Sequence, residues 1–597
     1  MTDHSFSLFA LRNAYLDRTV SVDGVIAEAL RRAADEKYPS VWIRLLTPDE
    51  IEPYVAALRA QDPRRLPLYG IPFGIKDNID LAGIPTTVGC PEFAYTPAES
   101  ATVVERLIAA GAVPIGKTNL DQFATGLVGV RSPYGIPRSV FNGEYVSGGS
   151  SSGSGVAVAS GMVTFALGTD TAGSGRVPAA FNHITGYKPT KGWFSAKGVF
   201  PACHSLDCAT IFAGTCAEAS QIAQSVWGID PLDSFSREPV SETRPIKTLG
   251  VPAAEGLTFF GDAAAESLYS ESLEALAAQG FELVEFDYIP FRNAALLLYA
   301  GPWVAERRHA LGDFLKTHPE AVHPAVRTII ARGDEVTGID VFDGIYRLQD
   351  FIAQTVRVFR KIDAFVLPTT GTTYRVADVL ADPITLNSNL GYYTNFVNLL
   401  DLAAVAVPAG FRENGKGLPF GITFIGPAGS DAQLLALGDR FHRLRTTSIG
   451  VTGRDLTSEP ALSEPDSEIQ LAVVGAHLGG QPLNHQLTSR NARFVRSTHT
   501  SPHYRLYNLP NTTPPKPGLV RVSDPVVNSA GIAVEIWSLN TAAFGSFVAE
   551  VPPPMTIGTI QLEDDTWVKG FLCEPLALEG ADDITSAGGW KAFQEGR

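Results

Sequence analysis

Two strings rich in glycine and serine lie inside an apolar part of the chain. The first, SGGSSSGSG, occupies residues 147–155, and the second, GTDTAGSGR, occupies residues 168–176. Composition alone favours a flexible linker, but both strings adjoin apolar runs, VAVA at 156–159 and MVTFAL at 162–167. Because glycine lets the backbone approach other atoms closely, we expect two tight turns packed around a small site.

A phosphate-binding loop is a competing interpretation of these glycines. One Gly-x-x-x-x-Gly-Lys-Ser/Thr string is present, GAVPIGKT at 111–118, but it lies outside both glycine-serine strings, and its residues 113–116 are predicted to be a strand rather than a loop. No Gly-x-Gly-x-x-Gly follows a strand with an acidic partner. Phosphate binding is therefore the weaker hypothesis.

Composition and charge narrow the class of protein. Of 597 residues, 45% are apolar and 18% are charged, which is typical of a globular chain. The net charge of −16 disfavours nucleic acid or an anionic membrane as the main partner, because both require clustered positive charge. Five cysteines without metal-ligand spacing favour a reducing compartment. With no signal-peptide pattern and no apolar run of 18 residues, we expect a cytoplasmic protein without a membrane span.

The periodicity of apolar residues predicts two domains. Residues 5–65 are predicted to be helical, with a possible helix cap at Asp23, and helices then alternate with short apolar strands to about residue 441. This alternation predicts an α/β domain over 1–445, with a central mixed sheet flanked by helices. Residues 446–470 lose the periodicity and are predicted to be a linker, and the β-rich remainder predicts a smaller, mainly β domain over 471–597.

Three motifs carry a family resemblance. GIPFGIKDN at 70–78, GGSSSGSGVAVASG from residue 148 and GTDTAGSGRVPAAFNHITGYKPT from residue 168 occur in the order that the amidase signature family has them. Later strings match further landmarks of that family; they lie at 395–398, 407–410 and 417–421. The chain resembles the family over about residues 15–445, which implies the amidase-signature fold.

The resemblance implies a Ser-cisSer-Lys triad, with Ser174 as the nucleophile, Ser150 as the bridging cis serine and Lys76 as the base. Lysine can act as a base only when neutral, so its pKa must fall from about 10.4 toward 7, and burial has this effect. The backbone N–H groups of the nucleophile turn would form the oxyanion hole; they belong to Thr171, Ala172, Gly173 and Ser174. We expect Asp170 and Arg176 to hold that turn by a charge-assisted bond.

Several strings resemble one branch of this family, the allophanate hydrolases. They are NLDQFATGLVG at 119–129, SPYG at 132–135 and GAHLGGQPLN at 475–484. The branch implies a small anionic substrate, allophanate, with its carboxylate bound by Tyr299 and Arg307 and with a backbone contact from Gly126. The competing interpretation makes Arg307 part of a solvated basic pair and Tyr299 a core residue. Neither a metal ion nor an organic cofactor is expected.

The C-terminal residues resemble the small β-barrel of the gamma-glutamyl cyclotransferase-like fold. The resemblance aligns Glu535 with an acidic position of that fold, and His477 lies in the most distinctive string. One hypothesis is a second site, with His477 acting on the product of the first. The other is a structural or docking domain, and the sequence leaves both open.

Three functions remain to be separated at this point. The branch implies allophanate hydrolysis in urea degradation, functionally linked to a urea carboxylase, by a chain that forms a homodimer. A broader aliphatic or aryl amidase of the same family is the alternative enzyme. The third hypothesis is not an enzyme acting alone: it is a scaffold or an amidotransferase-like subunit that works only with protein partners.

Overall fold

The computed structural model describes most of the chain, and its contacts divide it into two compact units. The described residues are 6–240, 245–415, 417–462, 468–490, 492–526 and 530–596. The first unit is Met1–Glu464 and the second is Pro465–Arg597.

The first unit contains one large mixed sheet. Among the described residues it has eleven strands: β1 (Trp42–Leu45), β2 (Pro72–Lys76), β3 (Val113–Thr118), β4 (Phe165–Asp170), β5 (Thr185–Lys188), β6 (Cys208–Ala213), β7 (Thr248–Pro252), β8 (Glu282–Phe286), β9 (Ala364–Pro368), β10 (Leu402–Phe411) and β11 (Pro419–Pro427). Their order is β1-β3-β2-β4-β6-β5-β10-β11-β9-β7-β8. The predicted α/β domain with a mixed sheet is confirmed.

Helices accompany this sheet. They are α1 (Leu8–Leu16), α2 (Val22–Ala33), α3 (Pro48–Arg59), α4 (Thr102–Ala109), α5 (Ser152–Ala159), α6 (Val177–Phe181), α7 (Cys216–Gln224), α8 (Ala263–Ala278), α9 (Ile289–Leu296), α10 (Trp303–Ala310), α11 (Phe314–Thr317), α12 (Pro324–Ala331), α13 (Gly338–Phe359), α14 (Val376–Ala381), α15 (Thr385–Leu390), α16 (Phe396–Leu399), α17 (Arg412–Gly415) and α18 (Asp431–Arg445).

Strand direction brings the motifs to one edge of the sheet. Strand β2 runs parallel to β4, with Ile75 opposite Leu167. Both strands therefore end at the same edge, β2 at Lys76 and β4 at Asp170. Every residue of these two strands is buried. A charged side chain at this edge is thereby shielded from solvent.

The N-terminal region differs from the prediction in two details. Residues 42–45 form β1, which pairs antiparallel with β3 at the edge of the large sheet. The side chain of Ser21, rather than that of Asp23, caps α2 by accepting a hydrogen bond from the N–H of Gly24 at 3.1 Å. Asp23 lies in the first turn of α2 and pairs with Arg59.

The segment predicted to be a linker is partly packed against the first unit. Residues 446–462 belong to that unit, and Leu456 in this segment is buried. The guanidinium of Arg454 lies 2.6 Å from the carboxylate of the fully buried Glu218 and 2.9 Å from that of Glu459. Buried ion pairs of this kind compensate for the missing apolar periodicity, which is why the sequence pattern does not reveal the packing. Residues 463–467 lie outside the described residues.

The second unit is mainly β, as predicted. A sheet in the order β13-β16-β12-β18-β17 and another in the order β15-β14-β19 contain its described strands. The strands are β12 (Glu468–Val473), β13 (Arg493–His499), β14 (Tyr504–Asn508), β15 (Pro517–Arg521), β16 (Ala533–Asn540), β17 (Met555–Gln561), β18 (Trp567–Cys573) and β19 (Asp582–Asp583), and the helices are α19 (His485–Thr488), α20 (Thr541–Ala549) and α21 (Trp590–Glu595).

Within the described ranges, no helix combines the length and the apolar character needed to cross a membrane.

Candidate active site

Lys76 is a buried ammonium group at the end of β2. Its Nζ donates to Ser150 Oγ at 2.8 Å and to Thr169 Oγ1 at 2.7 Å. Burial lowers the pKa of Lys76 to about 7, although the carboxylates of Asp207, Asp121 and Asp170 oppose this shift. A lysine with this pKa is partly neutral near pH 7 and can then accept a proton.

Ser150 lies two residues before the start of α5, and the Gly149–Ser150 peptide bond is cis. A Cβ atom at Gly149 would lie 2.1 Å from Asp121 Oδ2 and 2.6 Å from the backbone nitrogen of Gly129. Glycine is therefore required here because any other residue would displace the backbone. The first glycine-serine string is thus no linker: it enters the site and continues as the first turns of a buried helix.

The nucleophile turn, residues 170–176, is held by a buried ion pair. Asp170 and Arg176 are both fully buried, and Arg176 Nε and Nη2 donate to the Asp170 carboxylate at 2.9 and 3.0 Å. The same carboxylate accepts the N–H groups of Gly173 at 2.9 Å and Gly175 at 3.0 Å. Although burial would raise the pKa of Asp170, Arg176 holds it below its ordinary value. The turn is therefore preformed without a substrate.

Ser174 lies in this turn with only 2% of its surface exposed. Its Oγ donates to the backbone carbonyl of Gly126 at 3.5 Å, whereas the hydrogen bonds of the described residues include none between Ser174 and Ser150. The structure therefore brings Lys76 and Ser150 into contact and places Gly126 beside Ser174. For a proton relay, the Ser174 hydroxyl must exchange its hydrogen bond to the Gly126 carbonyl for one to Ser150.

The backbone donors expected for the oxyanion hole are not all available. The N–H of Gly173 already donates to Asp170 Oδ1. For the N–H groups of Thr171, Ala172 and Ser174, no acceptor is found in the described part of the chain. Gly173 has φ of +134°, a conformation that side-chain-bearing residues rarely adopt, whereas Ala172 does not have a positive φ. Three of the four predicted donors therefore remain free to bind an oxyanion.

Tyr299 and Arg307 contact each other, and Arg307 also contacts Thr125, next to Gly126. The Arg307 guanidinium donates to Tyr299 Oη at 3.3 Å and to Thr125 Oγ1 at 3.1 Å, and its carbon lies 4.9 Å from the centre of the Tyr299 ring. Arg307 is only 1% exposed, so it is not part of a solvated basic pair. Among the described residues no acceptor faces its Nε atom.

Three further residues of the site were not identified from the sequence. Thr169 accepts from Lys76, and Asp207 accepts from the Thr171 hydroxyl and from the backbone N–H of Ala202 at 2.6 Å. Burial raises the pKa of Asp207 to about 6. Arg131 is the third, fully buried and bonded to the Thr125 carbonyl at 2.8 Å. Thr169 and Arg131 lie within or next to strings that carry the resemblance, but only packing reveals their contacts.

His477 lines a separate cavity of about 190 Å³ in the second unit. Its Nε2 lies 2.8 Å from Gln486 Oε1, and its ring stacks on Phe571 with centroids 4.9 Å apart. Burial lowers the pKa of His477, and Lys516 also lines the cavity. Glu535 does not line it; this carboxylate accepts the N–H of Gly479 at 2.7 Å and so anchors the loop that carries His477.

Comparisons with known proteins agree with this arrangement. The family model described as Amidase matches residues 25–435, and the model described as Allophanate hydrolase C-terminal domain matches residues 469–595. The crystal structure of selenomethionine-substituted Kluyveromyces lactis allophanate hydrolase is similar, with a TM-score of 0.75 and 40% identity over 100% of both chains.

Relatives with other names are also similar. Urea amidolyase of Saccharomyces cerevisiae is 43% identical over 579 residues, 93% of this chain and 31% of that protein, so this chain spans about a third of that relative's length. One subunit of the glutamyl-tRNA(Gln) amidotransferase of Chloroflexus aggregans is 34% identical over 67% of this chain and 88% of that protein. The chain belongs to the amidase family and carries an allophanate hydrolase C-terminal domain.

Proposed function

We propose that this chain is an allophanate hydrolase. It hydrolyses allophanate, or urea-1-carboxylate, to ammonia and carbon dioxide through an acyl-enzyme on Ser174. The observation that carries this proposal is the buried Lys76 ammonium, which has a pKa of about 7 and bonds the Oγ of Ser150 at 2.8 Å. The similarity of the whole chain to an allophanate hydrolase supports the choice of substrate.

The proton relay runs from Ser174 through Ser150 to neutral Lys76. Ser174 Oγ leaves the Gly126 carbonyl, donates its proton toward Ser150 and attacks the terminal amide carbonyl of the substrate. A serine hydroxyl is a weak nucleophile until its proton is removed. Lys76 and Ser150 then return a proton to the leaving nitrogen, so the first ammonia departs as a neutral molecule.

The tetrahedral oxyanion is stabilised by the backbone N–H groups of Thr171, Ala172 and Ser174. Each such donor contributes about 10²–10³ to the rate in other acyl-transfer enzymes. Water next hydrolyses the acyl-enzyme, which releases N-carboxycarbamate. That product loses carbon dioxide, and the remaining carbamate gives a second ammonia and a second carbon dioxide. One allophanic acid and one water thus become two ammonia and two carbon dioxide.

The substrate carboxylate binds to Arg307 and Tyr299, with Gly126 contributing a backbone group. Arg307 is buried beside Tyr299 with an Nε that lacks a protein acceptor among the described residues. A guanidinium binds a carboxylate well because its planar fork of N–H donors fits the two oxygens and its charge is opposite.

The test is release of ammonia from allophanate by the purified chain, compared with acetamide and malonamide. We expect turnover of allophanate at least about 100-fold above either amide, since a buried charged contact contributes up to about 3 kcal/mol. Arg307→Ala should remove this preference. Equal turnover of neutral amides, with little effect of Arg307→Ala, would instead establish the broader aliphatic or aryl amidase. Activity only on adding protein partners would establish the amidotransferase-like subunit.

His477 contributes to a second site that accelerates decarboxylation of N-carboxycarbamate. Support comes from its cavity, which also holds Lys516, since a dianionic product requires positive charge nearby. His477→Ala should slow release of carbon dioxide while the first ammonia is unchanged, measured by stopped-flow with separate ammonia and carbon dioxide readouts. Val551→Ala, which removes part of another side chain lining the cavity, serves as the matched control. If neither product changes with His477→Ala, the second unit is structural or a docking domain.

The chain acts in the cytoplasm as a homodimer that receives its substrate from a urea carboxylase. All five cysteines are free, which fits a reducing compartment. The exposed apolar side chains of α13 fit a subunit interface, since Ile339, Phe342 and Tyr346 are 75%, 58% and 64% exposed. Light scattering should give twice the mass of the 63.8 kDa chain, and Phe342→Glu with Tyr346→Glu should halve it.

A further inference from the structure

Arg131 is a second buried guanidinium group that, like Arg307, bonds to Thr125. It is fully buried, and its Nη1 donates to the backbone carbonyl of Thr125 at 2.8 Å while its Nη2 donates to that of Pro383. Arg307 Nη1 contacts the hydroxyl of the same threonine at 3.1 Å. Thr125 is therefore held at its backbone by one guanidinium and at its side chain by another.

Asp121 interacts electrostatically with Arg131, and Asp207 and Glu306 do so with Arg307, but among the described residues neither guanidinium makes a direct ion pair. Asp121 is near Arg131, but its carboxylate accepts backbone N–H groups instead, from Val128, Gly129 and Arg131 at 2.9–3.3 Å. Asp207 is bonded to Thr171 and to the backbone at 202–203. Glu306 is bonded to Ser205.

The Nε atoms of both arginines are also buried without an acceptor in the described ranges. Taking a cation out of water is unfavourable unless it gains a partner. Two such cations bonded to one residue, neither in a direct ion pair, therefore fit a site that binds an anion.

The peptide between Thr125 and Gly126 connects Arg131 to the reacting atoms. Its carbonyl accepts from Arg131, and its N–H, on Gly126, finds no acceptor among the described residues. The following carbonyl, that of Gly126, accepts from Ser174 Oγ. A charged donor on a peptide carbonyl strengthens the N–H of the same peptide as a donor.

We infer that Arg131 is a positioning and specificity residue of the carboxylate pocket. It holds and polarises the Thr125–Gly126 peptide so that the Gly126 N–H and the Arg307 guanidinium bind the substrate carboxylate together. This inference rests on the proposed hydrolysis of allophanate, and it adds a residue that does not itself contact the reacting atoms.

The test compares an anionic and a neutral substrate in variants of Arg131. Arg131→Met should lower kcat/KM for allophanate by about 30- to 100-fold, mainly through KM, because hydrogen bonds to charged groups have contributions of this size. The kcat/KM for malonamide should change by less than about threefold, because this substrate has no carboxylate to make a charge-assisted hydrogen bond. Arg131→Lys, which keeps the charge and can bond one carbonyl, should recover about tenfold of the loss.

Arg106→Met is the matched control. Arg106 also donates to backbone carbonyls, those of Val226, Gly228 and Ile229, and its hydrogen bonds to the described residues include none to the site. Both substrates should be turned over by this variant as by the unaltered chain. An equal loss on allophanate and malonamide in Arg131→Met, or no loss on either, would overturn the inference.

Inhibition by malonate separates this inference from the proposed function. If the unaltered chain hydrolyses malonamide but not allophanate, the proposed function fails while the pocket can still be examined. Malonate should then inhibit Arg131→Met at least about tenfold more weakly than the unaltered chain, since a charge-assisted contact has been lost. An unchanged inhibition constant would overturn the role of Arg131 in binding a carboxylate.

Discussion

The nucleophile turn and the proposed carboxylate pocket both contain buried arginines. The arginine of the turn is paired with a carboxylate, whereas those of the pocket are not. In the turn, Arg176 makes two bonds of 2.9 and 3.0 Å to Asp170, and both side chains are fully buried. In the pocket, Arg307 and Arg131 bond only to neutral oxygens, and the Nε of each has no acceptor in the described part of the chain. Arg176 also has one nitrogen, Nη1, without an acceptor in the described ranges, but its charge is paired with a carboxylate, whereas in the pocket we propose that the substrate supplies the carboxylate. We therefore interpret the ion-paired arginine as structural and the arginines without an ion pair as part of the proposed binding site.

The largest effect is expected where the chemistry itself is removed. Ser174→Ala should lower kcat by at least about 10⁴-fold, as loss of a triad nucleophile does elsewhere. Unfolding should be unchanged, since the one hydrogen bond of the Ser174 hydroxyl to the described residues is a long one of 3.5 Å, to Gly126. Ammonia release and thermal unfolding provide the two measurements. Residual activity within tenfold of the unaltered chain would remove Ser174 from its assigned role.

Substituting the two kinds of arginine should separate stability from activity. Arg176→Met leaves Asp170 buried without its partner and should lower the free energy of unfolding by about 3–5 kcal/mol. Arg307→Met removes an unpaired buried charge and should leave stability unchanged or higher, while KM for allophanate rises by about 30- to 100-fold. Urea unfolding and steady-state kinetics on both variants give the comparison. If Arg307→Met destabilises as much as Arg176→Met, the two regions do not differ in the way described.

The pH dependence should report the base next to the turn. Because burial lowers the pKa of Lys76 to about 7, the proton-accepting neutral form grows as pH rises through this value. We expect kcat/KM to increase about tenfold per pH unit below 7 and to level off above 8. Stopped ammonia assays from pH 5.5 to 9 provide the profile. A constant rate across pH 6–8 would show that Lys76 is not the base.

The smallest effect is expected at Ala172. Alanine keeps the backbone donor and does not need a positive φ there, so Ala172→Gly should change kcat by less than about threefold and lower stability by about 0.5–1 kcal/mol. Kinetics and urea unfolding on the same sample measure both. A loss of 100-fold would mean that the methyl group of Ala172 itself shapes the site.

The sequence was sufficient to identify the site residues that lie within a family motif. Lys76 and Ser150 come together in the structure as the resemblance implied, and the large mixed sheet and mainly β second unit are as predicted. Whether the assigned roles hold remains a prediction. The commitment of the Gly173 N–H to Asp170 could not be foreseen, since it depends on the local path of the turn.

Other features depend on contacts between residues distant in sequence. Arg131 reaches the carbonyl of Pro383, 252 positions away, and nothing in the string SPYG next to it indicates burial. Strand β1 lies among predicted helices because four residues contain too little periodicity to distinguish a strand. The packing of residues 446–462 depends on ion pairs, which apolar periodicity does not report.

The pairing of Arg454 with Glu218 has a practical consequence for choosing where a fragment of the first unit should end. A fragment of the first unit that stops at residue 445 would retain Glu218, which is fully buried, and discard the cation that lies 2.6 Å from it. An uncompensated buried carboxylate costs about 3–5 kcal/mol, a large part of the stability of an ordinary domain. A fragment that continues to residue 462 keeps the cation, so expression trials of the isolated amidase unit should place their stop codon after this point.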